Sequence, residues 1–238
     1  MRIAVLTDIH ASSDPLQLAL TAARREGFDQ MLILGDLLTY GVQPLETLEL
    51  VQGAAARDGA ILISGNHDLL YQGSPRAEAY RAGLPDWLRE SVDWTAAHIP
   101  PGGMTTFDWQ ESWSQGPLFA AHANPFDFGD WRYIRSAQEA EDAAAMVAAR
   151  GFIYGLFGHV HRHRRFDCAA ATIFTLASLG QSRDDQDPTP KWAMIEIRGD
   201  LVTMETRDID FDPEDQMQAI RATTLSAATQ ERLCRFFS

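Results

Sequence analysis

Lysine is almost missing from this sequence of 238 residues, because Lys191 is the only one and the other nineteen basic residues are arginines. A P-loop requires a lysine after its glycine-rich turn, and Schiff-base catalysis requires one in the active site. The sequence contains no Gly-x-x-x-x-Gly-Lys pattern, and the Gly-x-Ser-x-Gly pattern of serine hydrolases is missing as well. These absences exclude P-loop chemistry and leave no support for lysine- or serine-based covalent catalysis.

Cysteine is scarce, and long apolar runs are missing. Cys168 and Cys234 lie far apart and form no Cys-x-x-Cys motif, so we expect two free, reduced thiols. No apolar stretch is long enough for a transmembrane helix, and residues 1–8 lack the features of a secretory signal peptide. The sequence therefore predicts a cytoplasmic protein without a membrane association.

Positive charge is also in short supply. The chain has 33 acidic and 20 basic residues, for a formal net charge of −13 at pH 7. Binding to nucleic acid polymers or to anionic lipid requires a basic surface, so both are disfavoured. A small anionic substrate would need a local source of positive charge, and bound cations would provide it.

The pattern of apolar runs predicts an α/β fold in a single domain over residues 1–238. Strands are predicted at 3–7, 31–34, 60–64, 118–121 and 153–157, with a meander of shorter ones near 164–166, 172–176, 192–197 and 201–207. Helices are predicted at about 14–26, 44–56 and 137–150, the first with Asp14 as N-cap and Pro15 after it. The βαβαβ order of the first part is typical of a right-handed parallel sheet.

Two further segments interrupt or follow this pattern. Residues 69–117 hold helix-like pieces near 75–83 and 85–93, and we expect an excursion over one sheet edge that shapes a substrate pocket. Residues 208–238 form an acidic and then helical tail. Its apolar residues leave two alternatives open, which are packing on the domain and a contact in a homo-oligomer.

Polar residues that can bind metals follow five of the predicted strands. Parallel strands place their carboxyl ends at the same edge of a sheet, where α/β proteins bind ligands. Five of the seven histidines fall at these strand ends, and only His98 and His163 do not. The residues at the strand ends are Asp8, His10, Asp36, Asn66, His67, His122, His159 and His161.

The mixture of carboxylate, amide and imidazole groups indicates a metal site. Such donors suit Mn, Fe, Zn, Co or Ni better than calcium, which prefers oxygen alone. Two metals about 3.5–4 Å apart require a bridging carboxylate, and Asp36 is the natural candidate. Each motif alone could be a turn or a helix cap, but their joint occurrence at five strand ends favours metal binding.

The ordered motifs resemble those of the calcineurin-like metallophosphoesterases. They are Asp8-Ile9-His10, Gly35-Asp36-Leu37, Gly65-Asn66-His67-Asp68, His122 and Gly158-His159-Val160-His161. Two further stretches, residues 35–41 and 178–184, resemble the small bacterial and archaeal phosphodiesterase-like branch. The chain departs from that branch at Ala11-Ser12, where Gly-Asn is usual, and it lacks the arginine and glutamate typical of the family's protein phosphatases.

The resemblance implies a four-layer sandwich of two mostly mixed β-sheets flanked by helices. It also implies that Asp8, His10, Asp36 and His161 hold one divalent metal and that Asp36, Asn66, His122 and His159 hold a second. The implied activity is phosphoester hydrolysis by a hydroxide that bridges the metals, most readily of a small diester, with nucleotides among the candidate substrates. The alternatives are a phosphomonoesterase, a nucleotide or phosphoprotein phosphatase, or a metal-binding scaffold without catalysis.

Two residues are predicted to take part in catalysis, and three to contact the substrate. His67 is not needed as a ligand and is a candidate to protonate the leaving oxygen or stabilise the transition state. Asp68 is a candidate to orient His67, with a helix cap as the equally supported alternative. Asn66, His67 and Arg183 are the predicted substrate contacts.

Overall fold

Two β-sheets lie face to face in the computed structural model, which describes residues 1–184 and 187–237. The strands are β1 (Arg2–Leu6), β2 (Gln30–Ile33), β3 (Ile61–Ile63), β4 (Trp109–Gln110), β5 (Ser112–Gln115), β6 (Leu118–Ala121), β7 (Tyr154–Phe157), β8 (Arg164–Asp167), β9 (Thr172–Thr175), β10 (Lys191–Arg198) and β11 (Leu201–Asp208). The first sheet has the order β11-β10-β1-β2-β3-β4, and the second has the order β5-β6-β7-β9-β8.

Both sheets are mixed, with a parallel centre. β1, β2, β3 and β4 run parallel, and the antiparallel pair β10–β11 extends the first sheet beside β1. β6, β7 and β9 run parallel, and β5 and β8 form antiparallel edges of the second sheet. The parallel strands therefore end at a common edge in each sheet, which positions the predicted site.

Eight α-helices accompany the two sheets in the described residues. They are α1 (Ser13–Glu26), α2 (Pro44–Asp58), α3 (Asn66–Leu69), α4 (Pro75–Ala82), α5 (Asp86–Ala97), α6 (Ala137–Ala149), α7 (Glu214–Arg221) and α8 (Ala227–Cys234). α1 and α2 pack on the first sheet, and α6 packs on the second. The predicted α/β four-layer sandwich is confirmed.

The period of two along β1 shows how one strand serves two layers. Ala4 and Leu6 pack toward α1 and α2, whereas Ile3 and Val5 pack into the core between the sheets. Alternate side chains of a strand point to opposite faces, so a strand covered on both faces must be apolar throughout. This explains why the predicted strands are continuous apolar runs.

The C-terminal tail packs on the domain. Leu225 and Leu233 lie in a buried apolar cluster with Leu84, Leu88 and Val92 from the region of α5. None of the helices in the described ranges combines the length and the hydropathy that crossing a bilayer requires.

Three details differ from the sequence-based expectations. The first helix begins at Ser13 with Ser12 as N-cap, and Asp14 instead accepts a hydrogen bond from Gln43 Nε2 at 2.8 Å. The C-terminal strands do not form one meander, because β8–β9 belong to the second sheet and β10–β11 to the first. Segment 69–117 also supplies β4 and β5, which were not predicted because β4 has two residues and β5 is largely exposed without apolar alternation.

Candidate metal centre

The carboxyl ends of β1, β2, β3, β6 and β7 bring all the predicted ligands together. Hydrogen bonds join the strand ends across the two sheets, since the N–H of His159 donates to Asp8 Oδ2 at 3.0 Å. Each ligand side chain is buried, with at most 5% of the residue exposed. The residues brought together are Asp8, His10, Asp36, Asn66, His67, His122, His159 and His161.

Two groups of potential ligand atoms lie side by side. Asp8, His10 and His161 form the first group and Asp36, His122 and His159 the second, with the ligand atoms of each group within 4.8 Å of one another. Asp36 Oδ2 lies 3.4 Å from His122 Nε2 and 3.9 Å from His10 Nε2. Asp36 is thus positioned between the two groups, where a bridging carboxylate is required.

Backbone carbonyls fix the four histidines of these groups. Nδ1 of His10, His122 and His161 lies 3.1, 2.5 and 2.6 Å from the carbonyl oxygens of Leu38, Leu34 and Gln181. His159 uses its other nitrogen, and its Nε2 lies 2.9 Å from the carbonyl oxygen of Trp131. A ring nitrogen that donates to a carbonyl leaves a lone pair on the opposite nitrogen, which is the usual support for a metal-binding histidine.

The candidate ligand atoms suit a cation, because two of the histidine lone pairs would otherwise face and repel each other. His10 Nε2 and His161 Nε2 lie 3.2 Å apart, and each carries a lone pair when its Nδ1 donates to a carbonyl. Asn66 Oδ1 also points into the centre and lies 3.2 Å from His122 Nε2. Burial lowers the pKa of His122, but the Asp36 carboxylate, the Asp8 charge and the Leu34 carbonyl together outweigh burial and raise the pKa to about 10. The centre therefore attracts positive charge, which bound metals would supply.

The backbone at the candidate ligands is strained. Asp8, His10, Asp36, His159 and His161 have φ values of 52°, 50°, 55°, 65° and 56°. Residues other than glycine rarely adopt this region, and such conformations cost roughly 1–3 kcal/mol each. Five strained residues at one site indicate that the fold holds these side chains in place at the expense of local backbone stability.

Two motif glycines allow the strand ends to approach closely. A Cβ atom on Gly65 would lie 2.2 Å from Asp36 Oδ1, and one on Gly158 would lie 2.2 Å from Thr7 Oγ1 and 2.7 Å from Asp8 Oδ2. Neither glycine can be replaced without displacing a carboxylate or its hydrogen-bond donor.

Asp68 supports the loop that carries Asp36. Its carboxylate accepts hydrogen bonds from the backbone N–H groups of Asp36, Leu37 and Gly65 at 2.7, 2.9 and 2.8 Å. Burial, followed by the charge of Asp36, raises the pKa of Asp68 to about 7, while its N–H partners oppose this shift. The structure thus places Asp68 as a cap and loop support, and no hydrogen bond joins it to the His67 ring within the described ranges.

His67 lies beside the two groups. Its N–H donates to Asp36 Oδ1 at 2.8 Å, and its ring centroid lies 5.2 Å from that of His10. Burial is the main reason that the pKa of His67 is lowered, to about 4. Nδ1 of this ring is buried and has no hydrogen-bond partner in the described part of the chain, so it is available for a ligand.

Arg183 lies close to the first group. Its N–H donates to the carbonyl oxygen of His161 at 3.2 Å, and its Nη2 donates to Gln181 Oε1 at 3.1 Å. The guanidinium also lies 6.0 Å from the ring centroid of Phe236 in the C-terminal segment. The structure therefore places a half-buried cation next to the predicted site.

Several aromatic residues around the centre were not predicted as site residues. Tyr40 contacts the His10 ring at a centroid distance of 4.7 Å, and Tyr133 stacks on His159 at 4.3 Å. Trp131 acts through its carbonyl oxygen, and Tyr80 through its hydroxyl, which accepts from Asn66 Nδ2 at 2.8 Å. No residue-type pattern identifies such positions, because an isolated tyrosine or tryptophan is equally typical of a core.

Comparison with known proteins gives one family and several distant relatives. A family model described as calcineurin-like phosphoesterase matches residues 1–163. A protein of Methanocaldococcus jannaschii is 25% identical over 137 residues, which are 56% of this chain and 53% of that protein. A symmetrical bis(5'-nucleosyl)-tetraphosphatase of Thioalkalivibrio sulfidiphilus is 32% identical over 127 residues, 42% of this chain and 46% of the relative. The chain thus spans about half the length of these curated relatives.

Two solved structures share the fold along nearly the whole chain. A metallophosphoesterase from Sphaerobacter thermophilus has a TM-score of 0.74 at 24% identity and covers 98% of both chains. A hypothetical protein from Pyrococcus horikoshii has a TM-score of 0.82 at 16% identity, covering 98% of this chain and 97% of the other. The chain belongs to the calcineurin-like phosphoesterase family.

Proposed function

We propose that this protein is a two-metal-dependent phosphoester hydrolase that acts most readily on a small diester. The observation that carries the proposal is the position of Asp36 between two histidine-rich groups. In each of these histidines one ring nitrogen contacts a backbone carbonyl, and this contact orients the ring. Asp8, His10, Asp36 and His161 would hold the first metal. The ligands proposed for the second metal are Asp36, Asn66, His122 and His159.

The donor set limits the metals that would bind. Imidazole nitrogens mixed with carboxylate and amide oxygens favour Mn, Fe, Zn, Co or Ni over calcium. A pair of such ions supplies hydroxide near neutral pH and offsets the charge that develops on the phosphoryl group. The acidic protein itself has few other ways to attract an anionic substrate into a buried centre.

Residues of the chain itself would protonate the leaving group and offset the negative charge of the substrate. His67 has an unpartnered Nδ1 and is neutral in the free protein, and a bound phosphoryl anion would favour its protonated form. It can then donate to the leaving oxygen. Arg183 would add a positive charge for the same substrate from the side of His161, while Asp68 would act by holding the Asp36 loop.

A nucleotide substrate is the second candidate. Two relatives are named symmetrical bis(5'-nucleosyl)-tetraphosphatase, although their similarity covers 42% and 27% of this chain. These names favour a substrate in which phosphates join two nucleosides.

The cytoplasmic location and any self-association stay predictions from the sequence.

The proposal is tested by metal reconstitution with matched substrates. Metal-free protein would be given manganese, nickel or zinc and assayed with a nitrophenyl phosphodiester, the matching monoester and a dinucleoside tetraphosphate. We expect metal-dependent turnover that is fastest with the diester. Faster hydrolysis of the tetraphosphate would instead establish a dinucleoside polyphosphate as the preferred substrate class. Two bound metals without turnover on any of the three would support a non-catalytic scaffold.

Replacing His67 with alanine separates its role from metal binding. We expect the variant to keep both metals and to lose about 100- to 10,000-fold in kcat, the usual contribution of a general acid. His98→Ala is the matched control, because His98 is exposed and stacks on Trp94 outside the centre. Full turnover in His67→Ala with both metals retained would remove His67 from the mechanism.

A further inference from the structure

Tyr80, on helix α4 of segment 69–117, contacts the Asn66 amide at the border of the metal centre. Its hydroxyl oxygen accepts a hydrogen bond from Asn66 Nδ2 at 2.8 Å. An amide has a donor end and an acceptor end, so this bond commits the nitrogen to Tyr80 and leaves Oδ1 free. Oδ1 lies 3.2 Å from His122 Nε2, inside the second ligand group.

The same hydroxyl has a hydrogen that the bond from Asn66 does not use. A phenol has an ordinary pKa of about 10, so this hydroxyl keeps its hydrogen at neutral pH. Within residues 1–184 and 187–237 no acceptor is found for this hydrogen, and the residue is half-exposed. The O–H group is therefore a free donor at the border of the buried centre.

Helix α4 is also tied to the other segment that supports the second ligand group. Arg76 Nη1 donates to the carbonyl oxygen of Phe128 at 3.3 Å, and its guanidinium lies 5.7 Å from the Phe128 ring centroid. Trp131 follows Phe128 in the same loop, and its backbone carbonyl oxygen accepts a hydrogen bond from His159 Nε2. Contacts between these two segments thus hold Tyr80 beside the second ligand group.

We propose that Tyr80 is a positioning residue for Asn66 in the second metal site and a hydrogen-bond donor to a phosphoryl oxygen of the substrate. The inference rests on the proposed two-metal function, and it gives segment 69–117 a direct role at the centre. In the alternative, purely structural role, Tyr80 contributes through its ring, which packs beside the apolar cluster of α5 and α8.

Tyr80→Phe keeps the ring and removes the hydroxyl. Manganese titration of the metal-free variant by calorimetry is expected to show an unchanged first equivalent and a second equivalent weakened about 10- to 100-fold, as for other outer-shell partners. Inorganic phosphate is expected to bind the manganese-saturated variant several-fold more weakly. Tyr154→Phe is the matched control, since Tyr154 stacks on Phe174 in the second sheet, away from the centre.

A double-mutant cycle with Asn66→Asp distinguishes positioning from packing. A carboxylate presents an acceptor at either end and needs no orientation by Tyr80, so Tyr80→Phe should cost the second equivalent little in that background. An equal loss in both backgrounds, or an unchanged second equivalent in the single variant, would overturn the proposal. The metal titration does not depend on turnover, so a failure of the proposed hydrolase activity would be seen separately.

Discussion

Asp36→Asn is expected to lower kcat/KM for the preferred phosphoester by at least about 1,000-fold, the effect of losing several kcal/mol of metal-based stabilisation. Asp36 Oδ1 accepts the N–H of His67, and an asparagine oxygen can still do so. The other end would then present an NH₂ group to His122 and His10, whose free nitrogens lie 3.4 and 3.9 Å from Oδ2. A donor would thus replace the lone pairs that the two metals need.

The measurement combines kinetics with a metal count on the same protein samples. We expect fewer than two manganese ions per chain after dialysis of Asp36→Asn, and a circular dichroism spectrum like that of the unmodified protein. Asp200→Asn is the matched control, because Asp200 is exposed in the turn between β10 and β11. An Asp36→Asn protein with two metals and near-normal kcat/KM would show that Asp36 is not the bridge.

The sequence is informative about the centre because the ligands follow directly from the strand pattern. Asp8 and Asp36 end apolar runs, and the topology of a parallel sheet then brings them to one edge without further information. The paired histidines His159 and His161 are similarly recognisable from their spacing after β7. Residue type, strand order and the direction of the chain together predict this part of the site.

The supports of the ligands cannot be predicted in this way. The groups that orient His10, His122 and His161 are the carbonyls of Leu38, Leu34 and Gln181, and every residue type has a carbonyl. Their positions depend on backbone conformations with positive φ, which the sequence pattern does not reveal because the residues involved are not glycines. The orientation of the donor atoms is therefore a property of the folded chain.

Asp68 illustrates how one residue type permits two roles. A carboxylate directly after a histidine suggests an acid–base pair, and a carboxylate in the first turn of a helix suggests a cap. The structure gives its oxygens three backbone N–H partners, from Asp36, Leu37 and Gly65. The second role depends on a contact between two strand ends that are 32 residues apart in the chain, which local sequence cannot show.

Gly65→Ala is expected to destabilise the metal-free protein by about 3 kcal/mol and to abolish binding of the second metal, a combination that tests the close approach of the strand ends. Gly65 has a φ of −97°, so its backbone conformation would accept any residue. The space is what excludes a side chain, since a Cβ would lie 2.2 Å from Asp36 Oδ1 and 2.8 Å from Asp36 N. Asp36 cannot move aside without losing the His67 N–H and the Asp68 carboxylate.

Gly53→Ala is the matched substitution with the opposite expected sign. Gly53 lies inside α2, and a Cβ there would meet no atom within 4 Å. Alanine is preferred over glycine in a helix by about 1 kcal/mol, so this variant should be more stable. Urea unfolding in the presence of a chelator measures both variants without the stabilising effect of bound metal. A Gly65→Ala protein that is as stable as Gly53→Ala and keeps two metals would contradict the close approach of β2 and β3 at the centre. The position of Asp36 would then not be fixed, and the proposed function depends on that position.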